Sequence, residues 1–563
     1  MEPERNIQHF DDIFQHIGPC NQRFFLSYII VSLCVISAGL NYLSIVFLFP
    51  ETDFWCQVDE LDKRCFDLNL TEVECVGLKH DYRPTDQSST TLIEGHCSQY
   101  NLTDYEFSSN TTSLKIVSVH RCNNGYEYDT TKYKTSVTQE FDLVCEDGYL
   151  VPLVISSTYI GTLFGALIFG NIADRFGRKR TIMLCMLMCT LLNIIVLSSQ
   201  WYLMFITFKV ISAVFSMGVF NTTFVMGCEL VGPSRRSLAG TFISVQWSIG
   251  YMIASLYAYL IPYWRFLILA MVITDICICI MIFWLVPESP RWLHAVNEVE
   301  TTEKILKQAC KFTKDPQANL DVCKQFCRQN DEDPTPENIK TQGSSNFKVV
   351  DILRLKNIRM RFLTIAFIWF VNDLVYFGIS LSIVNLGANE YAANALAGFV
   401  EIPAVFLAWI SIERWGRRII LSATLVLAGV ACATTSFISN NMWVATLGMV
   451  GKFSITASYT IIYIVAAEIY PTPIRNTAIG LSSMIGSLGG IIAPQIIFIG
   501  VSLEQLPYLI FGGLAFAAGF VTLLLPETRG LNLPQTLKEG ENLGDNTPRQ
   551  ADDMCQDELE SIM

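Results

Sequence analysis

The chain has 563 residues, 51% of them apolar and 16% charged, and a formal charge of −13. That much apolar surface exceeds what a soluble core of this size requires, so a wholly soluble protein is excluded. The six histidines are scattered, and no Walker loop, HExxH, GxSxG or cluster of metal ligands occurs, so no enzyme activity, metal, cofactor or nucleic-acid partner is expected.

The apolar residues fall into twelve runs, each able to supply the roughly 20 residues that a membrane-spanning helix needs. Residues 1–23 precede the first run and are polar and amphipathic from Asn6 to Arg23. No small-residue cleavage site follows at signal-peptide length, so 24–49 is expected to be a retained first helix. Residues 50–148 form one long polar insert with six cysteines (Cys56, Cys65, Cys75, Cys97, Cys122 and Cys145) and three N-x-[ST] sequons, at Asn69, Asn101 and Asn110. Both features mark the oxidising, glycosylating side of a membrane. The even count allows three disulfides and leaves their pairing open.

Runs at 149–170, 181–199, 202–224, 238–261 and 265–286 supply helices 2 to 6 and close a first half at 293. Residues 294–355 are charged and poor in aromatics, and are expected to form a connector with one or two amphipathic helices; Cys323 and Cys327 in it are expected to be reduced thiols. Runs at 360–384, 393–411, 419–438, 443–467, 476–498 and 507–526 supply helices 7 to 12 within 356–530. The acidic tail, 531–563, is expected to be disordered.

Four landmarks recur at a constant displacement of 239 residues. Asp174 corresponds to Glu413, Glu229 to Glu468, Arg236 to Arg475, and the Pro-Glu at Pro287 to that at Pro526. A constant offset across hydrophobic runs indicates a duplicated six-helix unit with corresponding loops. The insert carries 19 acidic and 8 basic residues, most of the negative charge. The short loops of the opposite side hold Arg175, Arg178, Lys179, Arg180, Arg235, Arg236, Arg414, Arg417, Arg418 and Arg475. This positive-inside bias places both termini in the cytoplasm and the insert outside.

In GNIADRFGRKR, Gly170 is expected to let helices approach, Gly177 to allow the tight turn, and Asp174 to cap or pair with a helix end. The pairs Glu229–Arg236 and Glu468–Arg475 bracket nearby turns. With Asp174, Arg175, Arg178, Glu413 and Arg417 they make a latch whose breakage would bias an outward/inward equilibrium; the plainer role is topology anchoring.

These motifs carry a resemblance. GNIADRFGRKR is similar to the loop signature of the major facilitator superfamily. PESPRWL from Pro287, WR at Trp264 and Arg265, SVTQEFDLVC ending at Cys145, and EIYPTPIRN from Glu468 resemble the organic cation, anion and zwitterion transporter family, over all of the chain but the tail. The resemblance implies an all-α membrane protein of twelve helices in two six-helix repeats, with a cysteine-rich loop between helices 1 and 2. Sugar porters share PESPRWL but lack that loop and carry a Gln-rich helix 7 that FIWFVNDLVYFG does not match. Synaptic-vesicle proteins carry their glycosylated loop in the second half.

By analogy with that fold, a substrate site lies between the halves near the midplane. Trp369, Asp373 and Tyr376 share one face of helix 7 at i, i+4, i+7 spacing, and Glu401 lies in helix 8. Trp247 and Tyr251 in helix 5, and Tyr459 and Tyr463 in helix 10, add aromatic faces. Carboxylates among aromatic rings suit an ammonium, each cation–π contact contributing roughly 0.5–2 kcal/mol. Packing is the alternative role for the rings, local capping or pairing the alternative for Asp373, and pairing with Lys209 or Lys452 the alternative for Glu401. Glu401, Trp369 and Tyr376 match the family pattern.

At Ser487, two residues before Gly489-Gly490, the family often has Asp in strict cation carriers and Arg in anion and carnitine carriers. The absence of either charge counts against a simple monovalent cation or a dicarboxylate and favours a hydrophilic amine or a small zwitterion; the resemblance as a whole implies organic cations or amine-bearing zwitterions, like the carnitine, β-alanine or carcinine carried by family members. Lys209 also stands where the family usually has Arg, and Lys loses the bidentate geometry. Without an ATP site, facilitative uniport is the first expectation, with sodium or proton symport open. A plasma-membrane address is expected; organic anion transport and a non-transporting receptor on the same fold are the alternatives.

Overall fold

The computed structural model describes residues 13–14, 21–57, 97–100, 119–122, 124–232, 236–311, 354–383, 389–438, 440–471, 474–500, 503, 505–529, 534 and 536–543. Cys65, Cys75, Asn69, Asn101, Asn110, Cys323 and Cys327 lie outside them.

Each apolar run becomes a helix, because a backbone without water must satisfy its polar groups internally. In the first half these are α1 (Gln22–Leu43, followed by one more turn at Ile45–Leu48), α2 (Leu150–Phe176), α3 (Arg178–Leu197), α4 (Tyr202–Glu229), α5 (Arg236–Leu260) and α6 (Trp264–Leu285). The second half holds α7 (Lys356–Ser382), α8 (Glu390–Trp415), α9 (Arg417–Thr435), α10 (Asn441–Ile469), α11 (Arg475–Gly500) and α12 (Leu506–Thr522). Among the described residues, ten helices are long and apolar enough to cross a membrane. The other two are α12, which is apolar but has 17 residues, and α5, whose Ser, Gln, Trp and Tyr residues lower its hydropathy.

Each half builds its own core. Val31, Phe169, Ile182, Met226, Ile243 and Ile282 pack in the first, and Ile365, Leu374, Leu425, Ile461, Ala478 and Phe511 in the second. The halves meet where α5 packs on α8 and α2 on α11. Inside the second half α11 lies close against α7: a Cβ at Gly489 would come within 2.3 Å of the Phe370 carbonyl, and only glycine permits that approach.

The described parts of the insert fold onto one face of the bundle, the loop face. Strand β1 (Phe54–Cys56) pairs antiparallel with β4 (Tyr126–Tyr128), and β2 (Ser98–Tyr100) with β3 (Val119–Arg121). Disulfides Cys56–Cys122 and Cys97–Cys145 tie these ribbons together. Glu140 anchors the insert by accepting hydrogen bonds from Trp264 Nε1 at 2.8 Å and from Arg265.

The opposite, latch face departs from the apolar pattern. Helices α2 and α8 run through their charged ends to Phe176 and Trp415, well beyond the hydrophobic runs that stop at 170 and 411, so each latch is a helix end broken by one glycine. Gly177 (φ 103°, ψ 157°) and Gly416 (φ 92°, ψ 161°) hold a backbone conformation that L side chains rarely adopt. Gly170 does not bring helices together, since a Cβ there would meet nothing within 4 Å.

An amphipathic helix, Val299–Cys310, buries Ile305, Leu306 and Ala309 against the first half, and Asn21 Nδ2 donates to the Ala309 carbonyl at 3.0 Å. The tail, expected to be disordered from 531, forms a short helix at Leu537–Glu541. Glu541 caps the start of α7 by accepting from the Asn357 and Ile358 amides at 2.9 and 3.1 Å. A local carboxylate at a helix N-terminus outweighs the acidic composition there.

Candidate substrate site

The spacing of Trp369, Asp373 and Tyr376 puts all three on the enclosed face of α7, with relative exposures of 0%, 4% and 7%. Trp369 meets Tyr463 edge-on at 4.9 Å between ring centroids, Tyr463 lies 5.8 Å from Tyr459, and Tyr459 lies 5.8 Å from Tyr376. From the first half come Trp247 and Tyr42 (5.5 Å apart) and Tyr159, whose ring is 4.6 Å from Phe377. These rings form a belt around the junction of the halves.

Two buried carboxylates stand in this belt, and their surroundings differ. Glu401 is fully engaged. It accepts from Tyr376 Oη at 2.7 Å and Ser248 Oγ at 2.8 Å, and pairs with Lys452 Nζ at 2.9 Å. Lys452 in turn donates to Ser380 Oγ at 2.5 Å and lies 3.3 Å from the Tyr376 ring centroid. Trp247 Nε1 donates to Tyr376 Oη at 2.9 Å, so a single buried network spans α5, α7, α8 and α10. Of the two lysines considered for Glu401, the structure pairs it with Lys452.

Asp373 is different: its Oδ1 is buried without a hydrogen-bond partner, as is Trp369 Nε1 nearby. Its Oδ2 faces Gly486 of α11, where a Cβ would approach to 3.0 Å. Ser487, next along α11, turns its hydroxyl to its own helix and donates to the Ser483 carbonyl at 3.2 Å. The Tyr459 hydroxyl is the hydrogen-bonding neighbour of this carboxylate, and no cation among the described residues pairs with it; a carboxylate enclosed by aromatic faces with one oxygen left over is the arrangement that an ammonium completes.

Sequence reasoning missed Tyr42 and Tyr159, which look like packing aromatics inside apolar runs. It also missed Asp275 on α6, 1% exposed and hydrogen-bonded by Ser37 Oγ and Asn41 Nδ2. A lone acid within the 265–286 run was a readable signal.

The latch residues come together with the same geometry twice. Arg178 binds Asp174 at 2.5 Å and Glu229 at 3.1 Å, while Glu229 accepts from Ser289 Oγ at 2.6 Å. Arg417 binds Glu413 at 3.4 Å and Glu468 at 3.3 Å, and Glu468 accepts from Thr528 Oγ1. Glu288 accepts from the Lys179 amide at 2.8 Å. Glu527 does the same from Arg417 and Arg418 at 2.9 and 3.1 Å. Burial alone would raise Glu527, but the amides of Arg417, Arg529, Arg418 and Thr528 hold its carboxyl below the usual glutamate range. Among the described residues the acids pair with Arg178 and Arg417; Arg475 Nε donates to the Tyr470 carbonyl at 3.0 Å, and the Arg236 side chain lies outside the described residues. Arg175 sits over the Phe176 ring.

Comparison with known proteins agrees with this architecture. Residues 104–537 match the family model described as sugar (and other) transporter. The chain is 32% identical over 547 residues to an organic cation transporter protein of Drosophila melanogaster, covering 95% of both chains. It is 30% identical to organic cation/carnitine transporter 2 of Rattus norvegicus, over 95% of this chain and 94% of that one. In fold it is similar to the inward-open xylose transporter XylE from E. coli (TM-score 0.57, 13% identity, 91% and 98% of the chains covered). Twelve helices in two halves, the repeated latch and full-length similarity together show that the chain belongs to the sugar (and other) transporter family of the major facilitator superfamily, in its organic cation and carnitine transporter group.

Proposed function

We propose that this protein moves organic cations or amine-bearing zwitterions of the carnitine, β-alanine or carcinine type across the plasma membrane by alternating access. The observation that carries the reading is Asp373, a buried carboxylate with an unpartnered oxygen inside the belt of Trp369, Tyr376, Tyr459 and Tyr463. Glu401 acts through Tyr376 and Trp247 as a positioning residue, because its charge is already met by Lys452. The names of the relatives, organic cation and organic cation/carnitine transporters, support the same substrate class.

The loop face is extracellular and the latch face, with both termini, cytoplasmic, as the positive-inside bias favours. Transport is facilitative, driven by the substrate gradient and by the membrane potential, about 2.3 kcal/mol per charge per 100 mV; sodium or proton symport is the second mode. Uptake of labelled tetraethylammonium, carnitine, β-alanine and p-aminohippurate into cells expressing the chain tests the reading. Saturable uptake of at least one amine is expected, and uptake of the anion p-aminohippurate alone would overturn it.

A further inference from the structure

Lys209 is a buried charge that the amine reading leaves unused. It lies about two turns into α4, is 6% exposed, and has no hydrogen-bond or ion-pair partner among the described residues. With Asn41, Tyr42, Tyr159, Ser212 and Ser216 it lines one cavity. Asp275 lies within electrostatic reach of the ammonium, but its carboxylate is engaged by Ser37 and Asn41. Asn41 also accepts from Asn193 Nδ2 at 3.2 Å, and Asn193 accepts from Ser212 Oγ at 3.3 Å. The polar chain around Asp275 is thus closed on itself, while the three donors of the ammonium have no acceptor among the described residues.

The same cavity borders the amine site. Tyr42 and Tyr159 line it together with Lys209, and both lie within electrostatic reach of Asp373. A lysine without an acceptor among the described residues on one side of these two rings, and on the other a carboxylate with a free oxygen and only the Tyr459 hydroxyl as hydrogen-bonding neighbour, make a dipolar site.

Resting on the amine reading, we infer that Lys209 is the second pole of the substrate site and takes the carboxylate of a zwitterion whose amine lies at Asp373. An ammonium serves one carboxylate oxygen as a point donor, without the fork geometry of a guanidinium. It also explains how a zwitterion is accommodated with Ser487 on α11 turned to its own helix.

The test uses matched pairs: carnitine and its methyl ester, and β-alanine and its methyl ester. Each pair keeps the cation and removes the anion. Uptake is measured for the full-length wild type, Lys209→Gln, Lys209→Arg and Asp373→Asn, with surface protein quantified by biotinylation. Loss of one charge-assisted contact predicts a roughly ten- to hundredfold rise in KM for the zwitterions in Lys209→Gln, far more than for the esters. Lys209→Arg recovers most of the preference, and Asp373→Asn lowers uptake of all four. Equal losses for zwitterion and ester in Lys209→Gln, or no loss in either, overturn the inference while leaving the amine reading intact. So does a chloride dependence of ester uptake that disappears in Lys209→Gln, which would make Lys209 an inorganic-anion site. A surface-exposed wild type that moves none of the four overturns the amine reading, and the second pole with it.

Discussion

A buried carboxylate persists as an anion only where cations or hydrogen-bond donors face it, and the two acids of the central belt differ in that respect. Glu401 meets Tyr376, Ser248 and Lys452; Asp373 Oδ1 has no hydrogen-bond partner among the described residues. Replacing Glu401 by Gln leaves Lys452 buried without its anion, and breaking such a pair costs roughly 3–5 kcal/mol. Glu401→Gln is therefore expected to lower folded protein at the surface, and Glu401→Gln with Lys452→Met to recover it, as read by surface biotinylation and by melting of the purified protein. If the single and double variants behave alike, the pair is not what makes Glu401 indispensable. The i, i+4, i+7 spacing along α7 was enough to group Trp369, Asp373 and Tyr376. The partner of Glu401 was not legible, because Lys452 is a distant position on another helix and Lys209 had the same chemistry. Packing alone decides between them.

Among elements, the two latches are the clearest product of the duplication. Gly177 and Gly416 share a positive φ, and a Cβ at either would lie 2.7 Å from the carboxylate, Glu288 or Glu527, that binds the following amides. Alanine at either glycine is expected to cost about 1–3 kcal/mol and to lower the melting temperature, whereas Gly170→Ala, with open space around its Cβ, is expected to change little. Similar melting of all three variants would contradict the proposed strain. Glu527 adds a pH dependence. Its folded pKa lies below the unfolded one, so its contribution is complete at neutral pH and fades as pH falls below the ordinary glutamate value of about 4.3. The melting temperatures of wild type and Glu527→Gln should therefore converge in acid. The 239-residue offset made the correspondence of the latches readable from sequence. The ends of α2 and α8 were not readable, because charged residues continue a helix into water without any hydrophobic signal.

Across the whole molecule, the latch contacts found among the described residues lie within one half or the other, and contacts between the halves gather toward the loop face. There Tyr391 packs against Phe47, Tyr133 and Tyr259 at 5.6–5.9 Å, Lys132 pairs with Glu390 at 3.6 Å, and Ser156 Oγ donates to the Ile491 carbonyl at 2.7 Å. Nearer the belt, Asn394 Nδ2 donates to Ser255 Oγ at 2.8 Å. This arrangement suits a conformation closed on the loop side. Each ring contact contributes about 0.5–1.5 kcal/mol, so Tyr391→Ala is expected to favour loop-side opening. An Asn394→Cys thiol should then react faster with a membrane-impermeant maleimide; an unchanged rate would mean that Tyr391 does not hold this face shut. Twelve runs and a constant offset made the two-halved bundle legible, but no local pattern says which face is closed, since that depends on contacts between distant helices. The central claim, that Asp373 holds the amine, is tested most directly by saturable uptake of labelled tetraethylammonium in wild type and Asp373→Asn at equal surface expression. The account predicts at least a tenfold loss of uptake in Asp373→Asn. Uptake retained at the wild-type level would contradict it and return the amine to another part of the belt.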